Sequence, residues 1–358
     1  MAEKLFEGSP AKHGFFMPAE WERHHCTWLS WPHNKQTWPE NLELAQFEFA
    51  HLVARIALDE PVVVLVPSGD QEKQFYDIFK SAVELESVEA RLQTQLVPTN
   101  DAWARDYGPT FVTGSGQWLA IDWQYNAWGG KYPPFDDDQK VVERCLAGLP
   151  SPDRPIRRTS RLCIEGGALE MDDQRVLMCT RSCALDRNRN PDWSLEQVSA
   201  ELKQCLGAEE IVWLSGDAIE GDDTDGHIDQ LARFVPQQKI VYAATDREDC
   251  QYESLVAIRD ELKQSLAQAG LGYQLIPLPL PPPIFYGDLR LPASYCNFYI
   301  TNDSVLVPQF GVPPSDQQAV SILGNLFPGR EVVGLPSYNL SVGLGSFHCL
   351  TQQQPAII

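Results

Sequence analysis

The stretch Leu42–Val66, LELAQFEFAHLVARIALDEPVVVLV, joins a helical pattern directly to a strand pattern. Its first part, Leu42–Leu58, carries apolar residues at helical spacing, namely Leu44, Phe47, Leu52 and Ile56. Its last part, Pro61–Val66, is a short β-branched apolar run of the kind that forms a buried strand. This pairing of patterns predicts a mixed α/β protein.

The same alternation continues along the chain. Further strand-like runs are Trp118–Ile121, Arg175–Met178, Ile211–Leu214, Lys239–Tyr242 and Ser304–Val307. Further amphipathic segments are Ser194–Leu206, Tyr252–Ala269 and Ser315–Leu326. No Ser/Gly linker or charge block divides the sequence, and the proline-rich Pro277–Pro283 predicts a rigid connection or rim loop. We therefore expect a single domain over residues 1–358.

Composition excludes several classes of protein. The 358 residues contain no apolar run long enough to span a membrane, and the first residues do not resemble a secretory signal, so we expect a cytoplasmic protein. Nine cysteines without CxxC spacing indicate neither a disulfide framework nor a structural zinc site. The net charge of −21 disfavours nucleic-acid binding and would attract small cations.

Cys349, in the run Gly345–Pro355, is a candidate thiol nucleophile. The candidate base, His227, and several acidic residues lie far upstream, which is typical of a nucleophile assembled from distant segments. From this run alone, an ordinary buried thiol is an equally good interpretation.

The segment Glu220–Asp229 packs five carboxylates and His227 into ten residues, so a cation is expected among them. A metal is one alternative, although the spacing matches neither an EF-hand loop nor an HExxH helix. In a strand, His227 and Asp229 would lie on one face, which suits a base beside a substrate anchor.

Two more loops carry acidic groups. Asp106, within Asn100–Pro109, is either a functional carboxylate or half of a surface ion pair with Arg105. Glu165 ends an apolar run before Gly166 and Gly167, which permit close backbone approach; a β-bulge with an incidental glutamate explains the pattern as well. The aromatic segment Asp122–Gly130 suits either packing or a flat cation.

Together these segments resemble the agmatine deiminases, in the guanidino-group modifying superfamily, whose family also includes the bacterial-type peptidylarginine deiminases. The similar stretches run in order from about residue 15 to 355: Met17–Glu22, Asn100–Pro109, Asn126–Gly130, Glu165–Gly167, Asn188–Pro191, Gly221–Asp229, Ala293–Tyr295, Asn297–Tyr299, Pro308–Gly311 and His348–Pro355. The resemblance implies the pentein fold, in which five ββαβ-type units form a pseudo-fivefold α/β propeller.

The resemblance also implies roles for individual residues. Cys349 is similar to the nucleophile, His227 to the general acid/base and Glu165 to the carboxylate that orients it. Asp106 and Asp229 resemble the guanidinium clamp, and Asp223 resembles a substrate-contacting aspartate. The implied function is that of a hydrolase in polyamine (putrescine) biosynthesis, which converts agmatine to N-carbamoylputrescine and ammonia through an S-alkylamidino intermediate. No metal or organic cofactor is required; nucleic-acid and membrane partners are not expected, and a homodimer is compatible with the resemblance.

The chain departs from the family pattern near these residues. Agmatine deiminases commonly have Gly-Gly-Asn-Ile before the His-Cys pair, where this chain has Leu344–Phe347. They have Ser-Ile-His after Glu-Gly-Gly, where this chain has Ala168–Glu170, and the segment Pro283–Arg290 looks shorter. These changes leave the chemistry intact but lie close enough to alter substrate length or head-group preference.

Three alternatives stay open at the level of sequence. The substrate could be another guanidine, such as peptidyl or free arginine. An amine instead of water could resolve the intermediate, which would make the protein an amidinotransferase. A non-enzymatic polyamine- or cation-binding protein would use the acidic loop without needing Cys349.

Overall fold

A computed structural model of the chain describes residues 5–82, 88–150, 154–216 and 218–357. The strands are β1 His24–Ser30, β2 Val62–Val66, β3 Leu92–Leu96, β4 Thr110–Gly114, β5 Gln117–Gln124, β6 Ile156–Cys163, β7 Glu170–Met171, β8 Val176–Thr180, β9 Glu210–Leu214, β10 Ala232–Val235, β11 Lys239–Ala244, β12 Gln274–Pro279, β13 Phe285–Tyr286, β14 Leu289–Arg290, β15 Tyr299–Ile300, β16 Ser304–Gln309, β17 Glu331–Pro336 and β18 Thr351–Pro355. The helices are α1 Leu42–Asp59, α2 Gly69–Ala82, α3 Ala104–Tyr107, α4 Ala127–Gly130, α5 Val141–Ala147, α6 Arg181–Ala184, α7 Leu195–Leu206, α8 Ile228–Leu231, α9 Tyr252–Gln268, α10 Pro313–Leu326, α11 Tyr338–Ser341 and α12 Phe347–Leu350. Within these ranges, no helix combines the length and apolar character needed to cross a membrane.

Across the described ranges, five sheets share one pairing pattern, in which the first strand is antiparallel to the second and the second is parallel to the third. Their strand orders are β18-β1-β2-β3, β4-β5-β6, β7-β8-β9, β10-β11-β12 and β15-β16-β17, with β3 added in parallel to β2. The parallel pairs are joined through α1, α5, α7, α9 and α10. The predicted α/β class is therefore confirmed, and each sheet has the ββαβ character that the resemblance implied.

The first of these sheets joins the two ends of the chain. Strand β18 pairs antiparallel with β1, so that Thr351 lies opposite Leu29 and Gln354 lies opposite Cys26. Helix α12, which carries Cys349, immediately precedes β18. The C-terminal pairing therefore fixes the position of Cys349 relative to the N-terminal part of the chain.

Five short turns precede the first strands of the five sheets, and we call them the ring turns. They are residues 104–107, 166–168, 228–231, 295–297 and 347–350. Each ring turn contacts the next along the chain, and the last contacts the first, so the contacts close a ring. Within the described ranges each sheet stays open at its edges, so the closed propeller itself remains a prediction. The ring brings together side chains that are far apart in sequence.

Each predicted strand run overlaps an observed strand, although Pro61–Val66 and Arg175–Met178 begin one residue before β2 and β8, and the predicted helices match α1, α7, α9 and α10. Two expectations need correction. Leu44 and Phe47 are 56% and 43% exposed, because α1 buries the face that contains Phe49 and Leu52 instead. Part of the proline-rich stretch belongs to β12, which tolerates proline because it is an edge strand.

We predict that Phe49→Ala lowers the free energy of unfolding by about 3–5 kcal/mol, because it leaves a cavity in a packed core. Phe49 is fully buried, and its ring lies edge-on to that of Trp31 at 5.6 Å. Phe47→Ala, on the exposed face of the same helix, is the control and should cost less than about 1 kcal/mol. Urea unfolding measures both, and equal losses would contradict the assigned orientation of α1.

Candidate active site

The thiol of Cys349 is buried and accepts hydrogen bonds from two amide side chains, of which Gln230 is the more distant at 4.0 Å. Nδ2 of Asn297 donates a hydrogen bond to Sγ of Cys349 over 3.1 Å. Oδ1 of the same amide accepts the backbone N–H groups of His348 at 3.1 Å and of Cys349 at 3.3 Å. Sγ also lies 3.7 Å from Oδ2 of Asp229. Asn297 therefore fixes both the backbone and the side chain of Cys349, and its N–H group is placed to stabilise a thiolate.

A buried imidazole is oriented by a carboxylate nearby. Nε2 of His227 lies 3.1 Å from Oε2 of Glu165. Glu165 in turn accepts hydrogen bonds from Nε of Arg189, at 2.9 Å and 3.1 Å, and from the thiol of Cys183 at 3.4 Å. Since Nε2 is bonded to Glu165, the other ring nitrogen, Nδ1, is the one available for proton transfer. That nitrogen is buried and has no hydrogen-bond partner in the described part of the chain.

Asp106 and Asp229 present carboxylates to the same region. Oδ1 of Asp106 accepts the backbone N–H of Gly167, and Oδ2 accepts the indole N–H of Trp128, both at 3.0 Å. Oδ2 of Asp229 lies 2.8 Å from Nδ1 of His348. Oδ1 of Asp229 is buried without a partner among the described residues. One carboxylate oxygen is thus free to accept a hydrogen bond beside the thiol.

Gly167 lies where these groups converge. A Cβ atom added there would meet Nδ1 of His227 at 2.5 Å, Oδ1 of Asp106 at 2.8 Å and Oδ2 of Asp229 at 3.1 Å. Three functional side chains therefore surround one backbone position that has room for no side chain. The close backbone approach that the sequence predicted at this glycine is confirmed.

The electrostatic environment of Cys349 opposes ionisation when no ligand is bound. Burial, followed by the charges of Asp229 and Asp106, raises the pKa of the thiol well above its ordinary value. Burial also raises the pKa of Asp106 to about 6, with Asp229 adding to the shift and His227 opposing it. Burial and the neighbouring carboxylates both disfavour further negative charge here, and a bound cation would lower both pKa values.

His227 and Glu165 have the opposite tendency. Burial acts to lower the pKa of His227, but Asp106 and the hydrogen bond to Glu165 help to raise it well above its ordinary value. Burial acts to raise the pKa of Glu165, but Arg189 and His227 lower it to about 2. The raised pKa of the imidazole and the lowered pKa of the carboxylate both favour the ion-paired form, in which the imidazole can act as a proton donor.

A cavity of about 790 Å³ leads to this region. Cys349, Asp106 and Asp223 line it, whereas Glu165, His227 and Asp229 lie behind its wall. Much of the wall is aromatic and is formed by Trp103, Tyr125, Trp128, Tyr132 and Tyr286. The structure thus brings all six predicted residues into one area, with three of them at the surface of the cavity.

The acidic segment before His227 differs from its predicted conformation. His227 precedes helix α8, so Asp229 lies on a helical turn and the predicted strand is wrong; the turn is needed to join the ring. The expected cations are side chains of the protein, because Lys131 and Arg189 bond to the carboxylate of Asp225 at 2.7 Å and 2.6 Å. The hydroxyl of Tyr132 donates to Asp223.

The surface ion pair considered for Arg105 and Asp106 is also wrong. Both side chains are buried, and the guanidinium of Arg105 lies 3.4 Å from Glu20. Glu20 lies 2.8 Å from Nε2 of His348 and 3.0 Å from Arg233. Arg105 therefore belongs to a buried charge network below the site, and Asp106 is left facing the cavity.

Comparison with known proteins agrees with this geometry. The model of the Porphyromonas-type peptidyl-arginine deiminase family matches residues 16–355. The chain belongs to this family. It is 35% identical over 372 residues to the agmatine deiminase of Stutzerimonas stutzeri (strain A1501), with 97% of each chain covered.

Solved structures of family members are also similar. The agmatine deiminase of Enterococcus faecalis is 27% identical with a TM-score of 0.88, and the match covers 100% of both chains. A cysteine-to-serine variant of the C. jejuni agmatine deiminase, solved with substrate bound, is 27% identical with a TM-score of 0.84 and covers 96% of this chain and 97% of that one. The pentein fold that the sequence resemblance implied is thereby confirmed for this deiminase-family chain.

Several residues of the site in this deiminase-family chain were not singled out from the sequence. Asn297, Trp128 and Arg189 lie in stretches that resembled the family, but nothing local distinguishes a functional asparagine, tryptophan or arginine from a structural one. For Trp128 the sequence gives a weak indication of a special position, because the adjacent Gly129 and Gly130 permit a left-handed turn. Its own φ of 54° aims the indole at Asp106.

We predict that iodoacetamide labels Cys349 more than about tenfold more slowly than the exposed Cys250 near pH 8, because the thiolate is the reactive form. Labelling of Cys349 should still be accelerating above about pH 9, because its pKa is raised. Peptide mapping by mass spectrometry gives both rates. A rate at Cys349 that reaches its plateau near neutral pH would contradict the raised pKa.

Proposed function

We propose that this deiminase-family protein hydrolyses the guanidino group of agmatine, giving N-carbamoylputrescine and ammonia. The observation that carries the proposal is the thiol of Cys349 lying 3.7 Å from Oδ2 of Asp229. The other oxygen of that carboxylate and Nδ1 of His227 have no hydrogen-bond partner among the described residues. The names of the relatives support agmatine as the substrate. The proposal takes residues 1–358 as one catalytic domain in the cytoplasm, since the ring turns from all five units contribute to it.

Asp106 and Asp229 would hold the guanidinium. A guanidinium is planar and offers paired N–H donors, which two carboxylates can accept while they compensate its charge. Its positive charge would also compensate Asp106, whose pKa is raised to about 6 by burial. The aromatic walls at Trp103 and Trp128 suit the flat faces of the same group.

Substrate binding would activate the thiol. The charges of Asp229 and Asp106 raise the pKa of Cys349 in addition to the effect of burial, so a guanidinium bound between them would lower that pKa. The amide N–H of Asn297 would stabilise the resulting thiolate. The nucleophile is therefore formed where its electrophile is already positioned.

The thiolate would then add to the central guanidinium carbon to give a tetrahedral adduct. His227, protonated and held by Glu165, would donate a proton to the departing nitrogen, so that ammonia leaves and an S-alkylamidino intermediate remains. The same imidazole would take a proton from an attacking water. Collapse of the second adduct breaks the C–S bond and releases the ureido product with the thiolate. Asp223, whose carboxylate faces the cavity, would contact the substrate.

Ammonia release from agmatine, arginine and an arginine peptide distinguishes the substrates. Turnover of agmatine alone supports the proposal, while turnover of only another guanidine keeps the mechanism and changes the substrate. An amidinated amine product without any ureido compound would make the protein an amidinotransferase. Activity with none of the three would favour a protein that only binds cations.

We predict that Cys349→Ser lowers kcat for agmatine by more than about a thousandfold, because a serine hydroxyl is a far weaker nucleophile at neutral pH. Melting temperature should be preserved. Cys250→Ser, which changes an exposed thiol, is the matched control and should keep full activity. A fully active Cys349→Ser enzyme would remove the nucleophile from the mechanism.

We predict that Asp106→Asn and Asp229→Asn each lower kcat/KM by at least about a hundredfold, because an amide has neither the charge nor the acceptor pattern of a carboxylate. Asp260→Asn, on the exposed side of α9, is the control. Circular dichroism checks the fold, since Asp229 also bonds to His348. Wild-type kinetics in either clamp variant would rule out the clamp.

A further inference from the structure

Leu344 adopts a backbone conformation that leucine rarely takes. Its φ of 70° is in the left-handed region, where a residue with a bulky side chain is strained and glycine is not. Its N–H donates to the carbonyl oxygen of Ser341 over 2.9 Å, which closes the turn after α11. The backbone conformation at this position is therefore one that favours glycine, although the residue is a leucine.

Packing on both sides holds this backbone in place. A Cβ atom added to Gly343 would lie 2.7 Å from the ring of Trp38, and one added to Gly345 would lie 2.4 Å from the ring of Trp103. The two indole rings are themselves neighbours, with centroids 5.5 Å apart. The segment around Leu344 is therefore pressed against two buried rings and cannot relax by moving towards them.

Leu344 lines the cavity that Cys349 also lines, and it packs, partly buried, against the core cluster that contains Cys349. The next residue, Gly345, is so close to the nucleophile that a Cβ atom there would be 3.1 Å from Cβ of Cys349. Leu344 thus adds an apolar surface to the cavity close to the reacting thiol. Strained backbone that persists at such a place is a sign of function, because glycine would fit without the strain.

We propose that Leu344 is a specificity-determining residue, whose side chain narrows the cavity beside Cys349 and favours guanidines with a bare, unbranched alkyl chain. The inference rests on the proposed deiminase function and deepens it. The total volume of about 790 Å³ does not exclude larger guanidines, since pockets for drug-sized ligands span roughly 300–1,000 Å³. Selection against a substituted chain must therefore come from a local constriction.

The test compares agmatine with argininamide, which differs only by a carboxamide on the carbon that bears the amine. Leu344→Ala removes most of the side chain and keeps the strained backbone, whereas Leu344→Gly removes both. We expect the ratio of kcat/KM for agmatine to that for argininamide to fall by roughly tenfold or more in both variants. Leu344→Met, which is close in volume, should keep the wild-type ratio.

Gln237→Gly is the matched control for backbone strain. Gln237 also has a positive φ, 66°, but it is exposed in the turn between β10 and β11. Glycine there relieves the same kind of strain away from the cavity, so melting temperature should rise while the substrate ratio stays unchanged.

An unchanged ratio in Leu344→Ala overturns the proposal, and so does a shift of the same size in Gln237→Gly. A ratio that changes only in Leu344→Gly also overturns it, because the backbone and not the side chain would then be responsible. If the wild-type protein turns over neither compound, the proposed function fails. Calorimetric binding of both compounds to Cys349→Ser, with and without Leu344→Ala, then decides the role of Leu344 independently of turnover.

Discussion

Mutual repulsion among three buried carboxylates, Asp106, Glu165 and Asp229, is the constraint on which the rest of the site depends. The negative charge of each carboxylate is compensated by different groups. Glu165 bonds to the guanidinium of Arg189, and Asp229 bonds to the ring of His348. Asp106 accepts the N–H groups of a glycine backbone and an indole and lies 3.7 Å from Nδ1 of His227, yet burial still raises its pKa to about 6. A planar guanidinium bound beside Asp106 would compensate its charge.

The fold makes this crowding of charges sterically feasible. The ring turns place the backbone of each unit within reach of its neighbours, and Gly167 leaves no side chain between the converging groups. Large aromatic rings then hold the loops rigidly, as Trp38 and Trp103 do around Gly343 and Gly345. Preorganised charges need this rigidity, because a carboxylate that could rotate away would lower its own repulsion and lose its ligand.

A buried network of charged side chains around Glu20 supports the carboxylates of the site. Glu20, from the N-terminal part of the chain, accepts hydrogen bonds from the backbone of Ile300 and from His348 and Arg105, and it forms an ion pair with Arg233 at 3.0 Å. Because His348 also bonds to Asp229, the orientation of the clamp depends on a residue that never reaches the cavity. The pairing of β1 with β18 brings the two ends of the chain to this network. Remote segments therefore determine the geometry beside Cys349.

The α/β class, the positions of the main strands and helices, and the family can all be read from the amino-acid sequence. Alternating apolar patterns report which local structure each segment prefers, and a candidate nucleophile such as Cys349 is recognisable by its residue type within a family-like stretch. Three features come from the packing of the folded chain: α8 is a helical turn, Arg105 pairs with Glu20 and not with Asp106, and Asn297 holds the thiol. Those facts depend on which distant segments meet at the ring turns. Local residue preference carries no information about such contacts, because they are set by the packing of whole units against one another.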